Sequence, residues 1–478
     1  VVGTLVNAGG QVDAGEKGSI SIQGIGGNIT ISGDLLAKGS DAATGGTVSI
    51  NASDGAVATT ATSKIDTSGD TDSGDITIQA QRPSQLAGTI TTPGKVGITI
   101  PSQAQVTHTG TITAGSVDFA GPVQVASTGT VNAQSVEFDM SAQVMGTINA
   151  AFVDVASGAT LSLSGNGQLR STSFLKDDGT FDISGASPSV SIGGLNGGGT
   201  VALGGNNLTL TAADGGSGQV SDGSAFLGNI TDGGISGGVG GSLNIDSGTL
   251  RLFSENTYTG PTVIGTGGTL QLVDGSIATS SSVVDNGTFD ISSSWAPQIS
   301  SLSGTGSVLL GDQGLTITNG SGAFSGAITD GPYLEGTSGG LTLTGGTQIL
   351  SGQNTYSGVT TVGSGATLQL GNGGQGGTVA TDIVNNGTLI IDHDADTVLG
   401  TAITGTGQMQ ISGGGTLTQA AGINISQSLI STGNSVFNGS ILLTGDNTIP
   451  ALGGISATGD VTIHTNGTLG LTGLISTP

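Results

Sequence analysis

Residues 341–374 read LTLTGGTQILSGQNTYSGVTTVGSGATLQLGNGG, and the fold follows from this stretch. In Leu341-Thr342-Leu343-Thr344 and Thr367-Leu368-Gln369-Leu370, apolar residues alternate with Thr or Gln. That period of two belongs to a half-buried strand. Gly345-Gly346, Ser351-Gly352 and Gly363-Ser364-Gly365 separate the runs and carry turn chemistry. Three to four strands of about five residues fill the stretch, and no helix fits between them. A near-copy, LNIDSGTLRLFSENTYTGPTVIGTGGTLQLVDGS, occupies residues 243–276. Asn354-Thr355-Tyr356 follows Asn256-Thr257-Tyr258 by 98 residues, and Leu368-Gln369-Leu370 follows Leu270-Gln271-Leu272 by the same interval. The chain is a repeat protein, and its repeats are strands.

The composition suits such a stack and little else. Of 478 residues 92 are glycine, 3% are aromatic and 9% are charged, which argues against cores of large side chains. A hydrophobic content of 34% and a mean hydropathy of +0.19 are too apolar for a disordered chain. The glycines keep no Gly-X-Y period, which removes collagen. The expected fold is all-β, a right-handed parallel β-helix (a β-solenoid) that forms an elongated rod. About 24 coils of roughly twenty residues, at ~4.8 Å each, would reach roughly 115 Å.

The net charge is −25, from 33 acidic and 8 basic residues. The basic residues stand singly (Lys17, Lys38, Lys64, Arg82, Lys95, Arg170, Lys176, Arg251), so no cluster exists to neutralise phosphates. Nucleic acid is therefore not an expected partner. The absence of cysteine excludes disulfides, thiolate zinc sites and cysteine catalysis. The chain begins at Val1 in mid-pattern, with no signal peptide, and is expected to be a processed or excised piece of a longer precursor.

Five segments follow one another. Residues 1–100 hold loosely spaced runs such as Ser19–Ile22, Asn28–Ile31, Thr47–Ile50 and Asp75–Ile78. Over 101–172 the rungs become regular, with Ser116-Val117-Asp118-Phe119, Ser135-Val136-Glu137-Phe138 and Phe152-Val153-Asp154-Val155 in step. Stacked, Val117, Val136 and Val153 point inward together, and Phe119 and Phe138 form one internal column. Residues 173–285, 286–385 and 386–478 are two large repeat modules and a third, partial one. They are marked by Asp178-Gly179-Thr180-Phe181, Asn286-Gly287-Thr288-Phe289 and Asn386-Gly387-Thr388-Leu389.

The runs of residues 1–100 resemble the repeats of filamentous-haemagglutinin-like adhesins. The segment from 339 to 371, with its Asn354-Thr355-Tyr356-Ser357-Gly358 and Leu368-Gln369-Leu370-Gly371, resembles the passenger-associated strand repeat of autotransporter proteins. The copy at 243–275 departs in having Pro261 where the later one has Val359. The resemblance implies a β-helical passenger on the surface of a Gram-negative bacterium or secreted from it. It would serve adhesion, aggregation or biofilm formation, after export through an outer-membrane translocator or a partner pore.

Candidate chemistry is sparse. The histidines His108, His393 and His464 form no constellation for nucleophilic catalysis. Acidic groups at Asp66, Asp70, Asp72 and Asp75, and at Asp392, Asp394 and Asp396, are the places where a polysaccharide lyase or glycosidase on a β-helix would keep its carboxylates. Asp70, Asp72, Asp75, Asp392, Asp394 and Asp396 are also weak calcium candidates, spaced alternately but without the ligand set of an EF-hand. Turn positions outside the helix account for the same residues. Tyr258 and Tyr356 hold equivalent places and are expected to pack over a turn. Trp295, the single tryptophan, is a candidate contact residue or the cover of a coil corner. Asn-Gly turn chemistry explains the Asn-Gly-Thr triplets, and glycan attachment is the competing reading.

The reading that follows is a non-catalytic passenger, an adhesin or self-associating protein, with no cofactor beyond possible calcium. Its partners would be surface molecules or glycans of a host or neighbouring cell, together with the export pore. A structural subunit of an extracellular filament or sheath is the alternative, and a carbohydrate-active β-helix enzyme is the second.

Overall fold

The computed structural model describes residues 5–412, except 8–9, 15–17, 39–45, 70–73, 188, 213–223, 332–337 and 375; beyond 412 it describes strand backbones and residues 460–463. Every paired strand among the described residues runs parallel to its partner, and no helix occurs among them. The chain folds as a parallel β-solenoid of about eighteen turns. That is fewer than the twenty-four that uniform coils would give. The reason lies in the coil lengths: Val131 pairs with Ile148 but Val201 pairs with Ile230, seventeen and twenty-nine residues on.

The chain divides into two compact units, Val1–Leu243 and Asn244–Pro478. In the first, an 11-stranded sheet runs from Leu5–Asn7 to Asn229–Thr231, and a 15-stranded sheet includes Val48–Ala52, Ser116–Ala120, Thr130–Phe138 and Thr147–Val155. In the second, a 7-stranded sheet runs from Gln298–Ile299 to Ile423–Ile425, beside a longer one containing Thr262–Val273, Thr288–Ser293 and Ala366–Leu370. Parallel strands stacked coil on coil satisfy each other's backbone groups, so short strands separated by Gly and Ser suffice.

The core is thin and columnar. Ile20, Val48, Ile76, Val96, Val117, Val136, Val153, Leu175 and Leu195 lie one above another through consecutive pairings. All nine are buried. A second column passes through Ile50, Ile78, Ile98, Phe119, Phe138 and Val155. In it Phe119 and Phe138 stack with ring centroids 5.4 Å apart and an interplanar angle of 6°, as the spacing of the rungs predicts. Each coil thus adds one layer of aliphatic side chains, and burial of each large one contributes about 1.5–3 kcal/mol.

Candidate functional site

The repeated motifs resolve into hydrogen-bonding devices inside the stack. Tyr258 and Tyr356 are fully buried in the core, not laid over a turn. Their hydroxyls lie 2.6 Å from Thr262 Oγ1 and Thr360 Oγ1. These threonines continue the chain to Ser280 Oγ at 2.9 Å and Thr381 Oγ1 at 3.3 Å. Burial pushes both phenols well above the ordinary tyrosine range, so they stay protonated. The asparagine two residues before each tyrosine is buried too, and it bridges coils. Asn256 Nδ2 donates to Ser254 O and Ser276 O at 2.8 and 3.1 Å, and Asn354 Nδ2 to Gly352 O and Thr378 O at 3.2 and 3.0 Å. The Asn-Thr-Tyr signature is a clamp between coils.

A second device was not legible in the sequence. The inward column Val155–Asp177–Gly197–Phe226 recurs as Ile264–Asp285–Gly304–Phe324, and its first three members as Val362–Asn385–Gly405. Asp177, Asp285 and Asn385 are each completely buried at an inward position, where apolar residues stand in neighbouring coils. Each Oδ1 accepts from the amide of the glycine two residues on: Gly179 at 3.1 Å, Gly287 at 3.0 Å and Gly387 at 3.1 Å. Asn385 also donates through Nδ2 to Gln408 O at 2.7 Å. The corresponding Oδ2 atoms of Asp177 and Asp285 have no hydrogen-bond partner. Burial pushes both carboxyls up to about 7; the Gly179 and Phe181 amides oppose it at Asp177 and Asp178 adds to it, while the Gly287 amide opposes it at Asp285.

The glycine above each is dictated by space. Gly197, Gly304 and Gly405 have φ of 105°, 111° and 119°, and a Cβ there would strike the carbonyls of Asp177, Asp285 and Asn385. By contrast Gly287 and Gly387, expected as Asn-Gly turn residues, and Gly179 after Asp178 do not take the left-handed conformation. A Cβ on them would collide with backbone carbonyls of the coil below.

The sequence candidates are scattered. Asp75 is exposed and accepts from the Lys95 amide at 2.9 Å; Asp70 and Asp72 lie outside the described residues. Asp392 is half-buried and accepts from Gln369 Nε2 and Ser412 Oγ, both at 3.1 Å; Asp394 and Asp396 are exposed. Asp66 is buried and takes Lys38 and Lys64 at 2.9 Å each. Burial opposes its ionisation, but hydrogen bonds from Ser68 and the two ammonium groups outweigh that and hold the carboxyl far below the usual range. His108 is a core residue between Leu86 and Val125, with Nε2 3.2 Å from Thr130 O; burial holds it below the ordinary imidazole value. His393 Nδ1 lies 2.7 Å from Thr397 Oγ1, which also lies 3.1 Å from Ala395 O. His464 lies in the strand Val461–Thr465, and its side chain lies outside the described residues. Trp295 stands 84% exposed, beside Ala296 at φ 46°.

The outward face of the first unit brings acids together where the sequence singled out none. Asp118, Glu137, Asp154 and Lys176 share one outward column. Carboxyl oxygens of Asp118, Glu137 and Asp139 all lie within 4.8 Å of one another. Lys95 pairs with Asp118 at 2.8 Å, and Lys176 with Asp154 and Asp178 at 3.2 and 2.7 Å. Glu137 stands between these pairs. Partial burial and the neighbouring Asp139, Asp118 and Asp154 raise its carboxyl above the usual range. Strand register creates this column, so only coil spacing could have revealed it.

Residues 245–272 and 343–370 match the passenger-associated-transport-repeat family. Both segments coincide with the coils that carry the Asn-Thr-Tyr clamps. The chain is also 32% identical over 261 residues to the adhesin BmaC autotransporter of Brucella suis biovar 1 (strain 1330). That similarity covers 52% of this chain and 7% of the much longer relative.

Proposed function

We propose that the chain is passenger sequence of a surface-displayed adhesin from a Gram-negative bacterium, and that it works by contact and not by catalysis. The observation that carries this reading is the coincidence of two passenger-associated repeats with coil-building units of a parallel solenoid. The similarity to an autotransporter named as an adhesin supports it. A solenoid separates two tasks by residue parity: inward positions maintain the stack, and outward positions are free to vary. Many weak outward contacts repeated coil after coil add up to firm attachment. Partners of this kind are molecules or glycans on another cell, with an outer-membrane translocator required during export.

Display of the chain on a non-adherent Gram-negative host tests the proposal. Cells carrying it are expected to bind epithelial or neighbouring bacterial cells well above cells displaying an unrelated solenoid, and equal binding overturns the reading. A purified species whose mass exceeds one chain and survives dilution would point instead to the filament or sheath subunit. Loss of viscosity in a polysaccharide solution would point to the enzyme.

A further inference from the structure

Phenylalanine in this chain is mostly interior: Phe119, Phe138, Phe181, Phe226, Phe289 and Phe324 are fully buried. Phe152 and Phe174 break that pattern. They occupy directly paired positions on adjacent strands, only partly buried, while Val153 and Leu175 beside them point inward. Their rings meet edge to face, with centroids 6.4 Å apart and an interplanar angle of 64°. The same outward column holds Ser135 on one side and Gly194 on the other, so the phenyl pair rises between a short side chain and none. A groove of about 410 Å³ lies here, bounded by Glu137, Asp154, Lys176 and Asn196.

We propose that this groove binds a basic peptide segment of a partner protein, with one arginine or lysine laid across Phe152 and Phe174 and paired with Glu137. The phenyl faces suit an aliphatic stem and a cationic head, and arginine best of all because its plane stacks on rings. The acid column calls for positive charge at one place. Lys95 neutralises one end and Lys176 the other, which leaves Glu137 among like charges with no ion pair among the described residues. A neutral sugar would stack on the rings and leave that repulsion in place. A bare divalent cation would relieve the repulsion and leave the rings unused. A basic side chain answers both, and the net charge of −25 steers such a partner in from a distance.

The inference deepens the adhesive function proposed above and rests on it only for the partner's being a surface protein. The full chain is titrated by calorimetry with a capped arginine pentapeptide and with its citrulline counterpart, which has the same shape without the charge. The arginine peptide is expected to bind about tenfold more tightly than the citrulline peptide. Phe152→Ser with Phe174→Ser weakens the arginine peptide by about tenfold. Glu137→Gln, a conservative change at an exposed site, abolishes the preference for arginine while the circular dichroism and melting curve stay unchanged. Equal binding of the two peptides overturns the proposal, as does indifference to Glu137→Gln. So does a chitosan or chitin oligomer, or calcium ion alone, that binds at Glu137 when the arginine peptide does not. The two proposals fail separately. If displayed cells adhere but the arginine peptide does not bind, the groove assignment falls and the adhesive function stands; if the peptide binds but the cells do not adhere, the reverse holds.

Discussion

The coils that begin at Val283 and at Ile383 are built alike, and they differ at one inward position by an amide in place of a carboxyl. Asp285 and Asn385 each fasten the amide two residues ahead, and each lies under a glycine whose φ is near 110–120°. Asn385 then donates to Gln408 O, whereas Asp285 has an Oδ2 with no partner. Asp177 in the first unit repeats the arrangement of Asp285. A buried carboxylate without a second partner is costly, and protonation removes the charge and supplies a donor. The same joint thus occurs in two versions, one with no titratable group and one whose buried carboxyl is pushed toward the protonated form.

The largest expected effect tests what the two joints share. Gly304→Ala and Gly405→Ala should each destabilise by about 2–4 kcal/mol, because both add a Cβ at positive φ against a backbone carbonyl. Hydrogen exchange at the Gly306 and Gly407 amides, which donate to Asp285 O and Asn385 O at 2.9 and 2.8 Å, reads the effect locally. Tolerance at either site would break the equivalence.

What separates the joints should appear in pH dependence. A carboxyl raised from 3.8 to about 7 in the fold keeps its full contribution below pH ~4, and loses it as pH rises through ~7. The loss is bounded by about 4 kcal/mol per group. Asp177→Asn with Asp285→Asn is therefore expected to raise the melting temperature at pH 8 and to leave it nearly unchanged at pH 4. Asn385→Asp should lower it at pH 8 and not at pH 4. Equal effects at both pH values would show that the carboxyls are ionised in the fold.

Smaller effects lie outside the joints. Tyr258→Phe and Tyr356→Phe each remove one hydroxyl link while Thr262 and Thr360 keep Ser280 and Thr381, so each should cost about 1 kcal/mol in thermal melting. The two values should agree, since both hydroxyls lie 2.6 Å from their threonines in fully buried sites. Trp295→Ser should change stability by less than about 0.5 kcal/mol, because the side chain covers nothing. A fall in cell adhesion with that variant would make Trp295 a contact residue; unchanged adhesion would remove it from the binding surface.

Much of the fold was legible because strand periodicity is a local signal. Ser116–Ala120 and Thr130–Phe138 announce their inward faces by alternation, and the interval between them places Phe119 under Phe138. Less of the chemistry could be read. Asp177, Asp285 and His108 look like surface residues in a chain poor in large apolar groups, and only the register puts them in the core. Tyr356 stands beside the turn signal Ser357-Gly358 in the sequence, yet its ring fills the interior and its hydroxyl is satisfied by Thr360. Alternation tells which face a residue takes, but coil lengths of seventeen to twenty-nine residues hide which residue lies above it.

By itself the sequence determined that this chain is a stack of short strands, because period-two runs punctuated by glycine return in step at the interval of a coil. It also determined that Asn-Thr-Tyr and Gly-Thr-Phe belong to the stack, since they return at the interval of a whole module. Tertiary structure alone decided which side chains meet. Partners such as Asp285 and Gly304, Glu137 and Asp118, or Phe152 and Phe174 stand nineteen to twenty-two residues apart, and the length of the intervening turn sets their register. Backbone hydrogen bonds between coils then hold that register, and with it the buried joints and the outward groove.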